Sequence, residues 1–495
     1  MMGHGLLYLS TFIAVALTGF FSNADVLAQE MEESHNVRLL GHNDLQSRSA
    51  YHPVIQRQII EGTERWIAYV GHHGGQALNP LTGKVEKNGT SVVDVTDPEH
   101  PVYLQHIEAS YGTSGAQMVR VCSGAELPGG DSNRSYLLRA NGGRSPEGGN
   151  VSHQVFDVTD PGAPTLLAVV SEGLLDTHKN WWECDTGIAY IVSGVPGWRV
   201  DRMTQIFDLS NPSDPKFIRN FGLPGQQPGS NGEIPVELHG CVSVVEANRV
   251  YCGQGTNSHG ILAILDRNKL ITDTLLDPEN PTAEELEAAV ISQLRLPDFM
   301  GAHTSFPILG MRLEEFSSDQ EFKVRDVVAI VNESLRNECT EEARQMMYFV
   351  DITDEMHPWP ISTYNVPDSS GDFCLRGGRF GAHGSNESFT PIFYGRLIFV
   401  SWFNAGMRVV DIRDPFNPKE VGYYIPAITE NTDERCITIA DESRCKIAIQ
   451  TNNLEVDDRG YIYLVDRANT GMHIVELTGD AREVANFSVG LANRN

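Results

Sequence analysis

Basic charge is scarce in this chain: 37 lysines and arginines face 65 aspartates and glutamates, a formal net charge of −28 at pH 7. A phosphate backbone needs a basic footprint, so nucleic acid is excluded as a partner and anionic membrane surfaces are disfavoured. The eight cysteines include no Cys-x-x-Cys pair, which argues against a zinc ribbon or a thioredoxin-like site. No Gly-x-Ser-x-Gly elbow, Walker loop or dinucleotide fingerprint is present either. Beyond Phe21 no apolar run approaches the roughly 20 residues a membrane-crossing helix needs.

The early apolar stretch, Leu6 to Phe21, is short and is followed by Val26-Leu27-Ala28, an A-x-A-like cleavage site. Residues 1–28 are therefore expected to be an export signal, although no Lys or Arg precedes the apolar stretch. Export places the mature chain in the periplasm or outside the cell, where cysteines pair. Cys436 with Cys445, Cys241 with Cys252 and Cys122 with Cys184 are the expected disulfides.

What the sequence has in abundance is one phrase. It reads VVDVTDPEHP from Val92, VFDVTDPGAP from Val155, IFDLSNPSDP from Ile206, FVDITDEMHP from Phe349 and VVDIRDPFNP from Val409, with weaker copies from Ala263 and His473. The reference positions Asp94, Asp157, Asp208, Asp266, Asp351, Asp411 and Glu476 are spaced from 51 residues (Asp157 to Asp208) to 85 (Asp266 to Asp351). Each copy is an alternating, β-rich run closed by an Asp/Asn-Pro turn. Strand repeats of this length mean radial repetition, so the expected fold is all-β, a seven-bladed β-propeller spanning 29–479. The signature aspartates are read as turn caps for local backbone amides.

The seventh repeat ends after its third strand. Residues 36–46 resemble an outer strand and are expected to close the ring from the N-terminus, removing an exposed edge. The region 276–347 is rich in insertions; Pro281–Leu294 and Asn337–Met347 carry helix-compatible patterns, the first with Thr282 as N-cap. Residues 480–495 form a tail.

The VVDVTDPxxP, VFDVTDPxxP and VVDIRDPxxP phrases resemble the LVIVD repeat family, secreted bacterial propellers related in pattern to YVTN-type repeats. That resemblance covers nearly the whole mature chain and implies fold, with little to say about activity. A more distant similarity, carried by a His-His pair and inner-strand histidines, is to selenium-binding protein/methanethiol oxidase propellers, which implies a metal at the axis.

Measured against the repeat, four histidines fall in phase: His178, His239, His303 and His383, each opening the innermost strand of its blade. Those strand starts converge on the central channel at one face. Neutral imidazole is the commonest metal ligand and suits copper, zinc or iron. His73, in the His72-His73 pair, can complete the shell from the rim. Asp176 and Glu237 each precede an axial histidine by two residues, on the same side of the strand, and are candidate catalytic groups. Arg202, Arg408 and Arg467 are able to bind a carboxylate or to link blades. Trp181 and Trp182 line a substrate mouth or pack in the core.

Two functions fit. In one, the histidines hold a transition metal and the protein acts on a small molecule in the channel, as a metal-dependent oxidoreductase or hydrolase. In the other, the propeller is a non-catalytic envelope scaffold that binds a protein or ligand through its loops, and the histidines pin neighbouring blades.

Overall fold

The computed structural model describes residues 31–110, 115–145, 151–313, 323–439 and 441–488. The expected export signal and the last residues of the tail lie outside them. Seven antiparallel sheets are arranged as a seven-bladed β-propeller. Blade three shows the plan: Thr177–Trp182, Ile188–Ser193, Met203–Asp208 and Lys216–Phe221 pair in chain order from the axis outward. The third strand of each blade carries the repeated phrase. Its apolar alternation is buried between blades, and clusters such as Tyr190, Ile206, Val250 and Ala263 span two neighbouring sheets.

The signature aspartates do cap turns. Asp94, Asp157, Asp208, Asp351 and Asp411 each accept a hydrogen bond from the backbone amide two residues on, at 2.8–3.0 Å. Asp266 instead caps a short helix, accepting from Lys269 N.

The N-terminal segment serves two blades. Glu33–His35 pairs with Lys419–Ile425 of blade six, and Val37–Asn43 takes the outer position of blade seven beside Met472–Leu477. The C-terminal helix Gly479–Val484 then packs Ala481 and Val484 into the same apolar cluster.

Both expected helices are corrected. Thr282 and Glu285 form a capping box, but the helix stops at Glu287, and Val290–Arg295 becomes the outer strand of blade four. The blade's need for a fourth strand overrides local helix preference. Of 337–347, only Cys339–Glu341 makes a single 3₁₀ turn. Here Glu342 accepts from the amides of Leu335 and Arg336, and a Cys339–Cys374 disulfide fixes the path. The three expected disulfides are all present. No helix among the described residues is long and apolar enough to cross a membrane.

Candidate metal centre

Neighbouring inner strands lie side by side around the axis, so residues in phase meet there. From blade one to blade seven the phase position holds Tyr51, Gln117, His178, His239, His303, His383 and Asn452. The four histidines form a continuous row: ring centroids are 4.5 Å apart for His178–His239, 3.6 Å for His239–His303 and 4.4 Å for His303–His383. Nε2 of His178 and Nε2 of His239 approach to 2.7 Å.

Three of the four outward nitrogens have partners that fix the rings. His383 Nδ1 faces the backbone carbonyl of Asn452 at 2.6 Å, which can only accept, so Nδ1 carries the proton and Nε2 a lone pair. His178 Nδ1 faces Gln117 Oε1 at 2.7 Å, and His303 Nδ1 lies 3.0 Å from Thr304 Oγ1. Burial is the largest cause pushing all four imidazoles well below their ordinary pKa of 6.5, so they are neutral at pH 7.

Sequence reasoning missed Glu333. It follows the second strand of blade five and reaches the same point, 3.8 Å from His303 Nε2 and 3.7 Å from His383 Nε2. His239, His303 and Glu333 bring ligand atoms within 4.8 Å of one another. His303 Nε2 is buried and has no hydrogen-bond partner, and His239 Nδ1 likewise. Tyr51 was also missed, although the repeat used as a ruler points to it; its hydroxyl lies 3.2 Å from His178 Nε2.

Asp176 and Glu237 stand at the rim. Asp176 is fully buried and accepts from Arg202 Nε at 2.8 Å. Glu237 lies 3.6 Å from Arg144 and, with Arg202 and His239, lines a cavity of about 80 Å³. Burial raises the pKa of both carboxyls. His73 Nδ1 contacts Gln117 Nε2 at 2.9 Å, beside Tyr51.

Beneath the histidines lies a second layer made of charge. Glu387 is clamped by Lys179, buried with it, and by the half-buried Arg120. Glycine makes the room: a Cβ at Gly240, directly after His239, would fall 2.6 Å from Lys179 Cδ. Glu455 accepts from the Glu387 amide at 2.6 Å. Burial and the Glu387 charge push its pKa up to about 8. His52, Glu387 and Glu455 also place potential ligand atoms together, but Lys179 and Arg120 already neutralise Glu387, and a cation added there meets two others. A third grouping, Glu434 with Cys436 and Cys445, offers no thiolate because the cysteines are disulfide-bonded.

Past this layer the channel widens at the other face into a cavity of about 1260 Å³, lined in part by Ile55, Val121, Phe389 and Asp457. Trp181 and Trp182 border a neighbouring hollow of about 680 Å³.

The LVIVD repeat model matches residues 393–425, the second to fourth strands of blade six. No curated protein matches the chain. Neither finding carries the likeness to selenium-binding propellers. With the phrase clear in five blades and weaker in two, the match and the seven sheets together support an LVIVD-repeat β-propeller.

Proposed function

We propose that His178, His239, His303 and His383, with Glu333, hold a transition metal ion, copper, zinc or iron, and that the protein transforms a small molecule beside it. The observation that carries this reading is the convergence of four neutral imidazoles, three of them with the outward nitrogen already engaged: His383 must present a lone pair at Nε2, and His303 Nε2 is buried without a partner. Blade pinning accounts for the 2.7 Å contact of His178 with His239 as a hydrogen bond, but it gives no reason for the buried, unpartnered Nε2 of His303. Imidazole with one carboxylate suits zinc, copper and iron.

Bound there, the metal supplies Lewis acidity or electron transfer, making the protein a metal-dependent hydrolase or oxidoreductase. The chain's own residues do the rest. Asn452 and Gln117 hold ring orientation, as second partners of metal-ligating histidines do. Glu237, half-exposed beside His239 with a raised pKa, is the group placed to exchange a proton with a ligand. The cavity there holds two or three waters at about 30 Å³ each, so the reacting part of the ligand is small. Four disulfides agree with a periplasmic or secreted protein.

Elemental analysis of the purified mature protein tests the reading. One metal per chain is expected, lost in His239→Ala/His303→Ala with the β-sheet circular dichroism retained. A folded wild type that neither carries nor takes up copper, zinc or iron refutes it.

A further inference from the structure

The hydrogen-bond chain through Gln117 has a consequence at its far end. A lone pair at His178 Nε2 places that ring's proton on Nδ1, which donates to Gln117 Oε1 at 2.7 Å. The Gln117 amide then donates from Nε2 to His73 Nδ1 at 2.9 Å. His73 Nδ1 is thus an acceptor, and the proton of this neutral ring sits on Nε2.

That N–H is buried and has no hydrogen-bond partner. The Asn452 side chain interacts with this N–H and favours its proton, but neither it nor the Asn452 oxygen has a hydrogen-bond partner within 3.5 Å. Arg467 lies alongside, its Nη2 3.5 Å from His73 Nδ1. Arg467 Nη1 is a second buried donor without a partner. Its nearest carboxylate oxygen, Glu333 Oε1, is 3.7 Å away and is taken by Arg379 at 3.0 Å. A buried donor left this way is costly, and such groups in a native protein point to a missing partner.

We propose that His73 Nε2 and Arg467 Nη1 are a docking pair for an anionic oxygen of the ligand, a carboxylate or similar oxyanion, beside the axial histidines. The assignment rests on the metal reading in one respect, the lone pair at His178 Nε2 that orients Gln117. It gives His73 the role of donor to the ligand in place of metal ligand. Arg467 shares its carboxylate, Glu333, with Arg379, which leaves it short of counter-charge. An anion supplies that charge, and a carboxylate has an oxygen for each donor.

Isothermal titration of acetate and of its neutral analogue acetamide, into metal-loaded and chelator-treated protein, tests the pair. Acetate is expected to bind and acetamide not. Arg467→Gln and His73→Phe should each weaken acetate at least tenfold at unchanged metal stoichiometry, and His73→Gln, which keeps a donor, should recover part of the loss. Acetate that binds neither form, or binds Arg467→Gln as well as wild type, overturns the proposal. So does loss of metal in His73→Phe, which would make His73 a ligand. Should a variant fail to fold, wild-type acetate against acetamide still decides. Acetate binding that depends on Arg467 in a protein that takes up no metal leaves the docking pair standing and removes only the metal.

Discussion

His178 and Lys179 are neighbours on one inner strand, yet they belong to two layers of the channel built on opposite principles. In the upper layer neutral imidazoles crowd together with inward nitrogens short of partners. In the lower layer every charge faces its complement, Lys179 and Arg120 against Glu387. A layer whose charges are compensated stabilises the ring, even though both nitrogens of the neighbouring His52 lack partners; a layer of uncharged rings clustered around unpartnered nitrogens awaits something from outside. Truncation should separate them. Glu387→Ala strands the buried Lys179 and the half-buried Arg120 and is expected to cost about 3–5 kcal/mol in chemical denaturation, with Lys179→Met/Glu387→Met/Arg120→Met recovering much of it. His239→Ala in the metal-free protein leaves no charge unpaired and should cost clearly less. Equal losses in the two layers would mean the histidines are as structural as the ion pairs.

The layers should also respond to pH in opposite directions. Glu455 has its pKa raised from 4.5 to about 8 in the folded chain. The folded state therefore binds the extra proton between those values, so this stability is complete below about 4.5 and is lost as pH rises through about 8. The loss is a few kcal/mol, because each tenfold change in proton affinity is worth about 1.4 kcal/mol. The axial histidines have lowered pKa values, so their contribution to the metal-free protein is present above 6.5 and is lost as pH falls below it. Glu455→Gln should be more stable than wild type at pH 9 and nearly equal at pH 5, measured as unfolding free energy across the range. A difference independent of pH would show that Glu455 is ionised throughout.

The two layers were unequally legible in the sequence. The Asp-Pro phrase recurs because each blade needs the same turn, and that recurrence measured the spacing that brought His178, His239, His303 and His383 into register. Extending the same ruler would have found Tyr51 and Gln117, which hold the phase position in the first two blades. Glu333 escapes the histidine ruler, since it leaves a second strand and not a first; the same place after the second strand holds His73 in blade one and Arg467 in blade seven. The ion pairs join Arg120, Lys179 and Glu387 from blades two, three and six, and no periodicity announces a contact that only ring closure creates. The helix expected over Pro281–Leu294 formed only as Ala283–Glu287, for a similar reason: its second half has an apolar pattern that serves equally as the strand pairing with Ile261–Asp266.

One side chain touches both layers. Thr304 Oγ1 lies 3.0 Å from His303 Nδ1 and 3.4 Å from Lys179 Nζ. Its hydroxyl accepts from the ammonium below while it orients the imidazole above. Thr304→Val keeps shape and β-branching and removes only these bonds. Loss of an orienting partner to a metal-bound histidine typically weakens the metal 10–100-fold, whereas the weak lysine contact contributes about 1 kcal/mol or less to stability. If the layers are coupled through this hydroxyl, Thr304→Val should lose metal affinity within that range while its unfolding free energy falls by about 1 kcal/mol. A competitive chelator titration beside a denaturation curve reads both. Unchanged metal affinity at the same loss of stability would show that Thr304 belongs to the lower layer alone, and that the histidines are held from above, by Gln117 and Asn452.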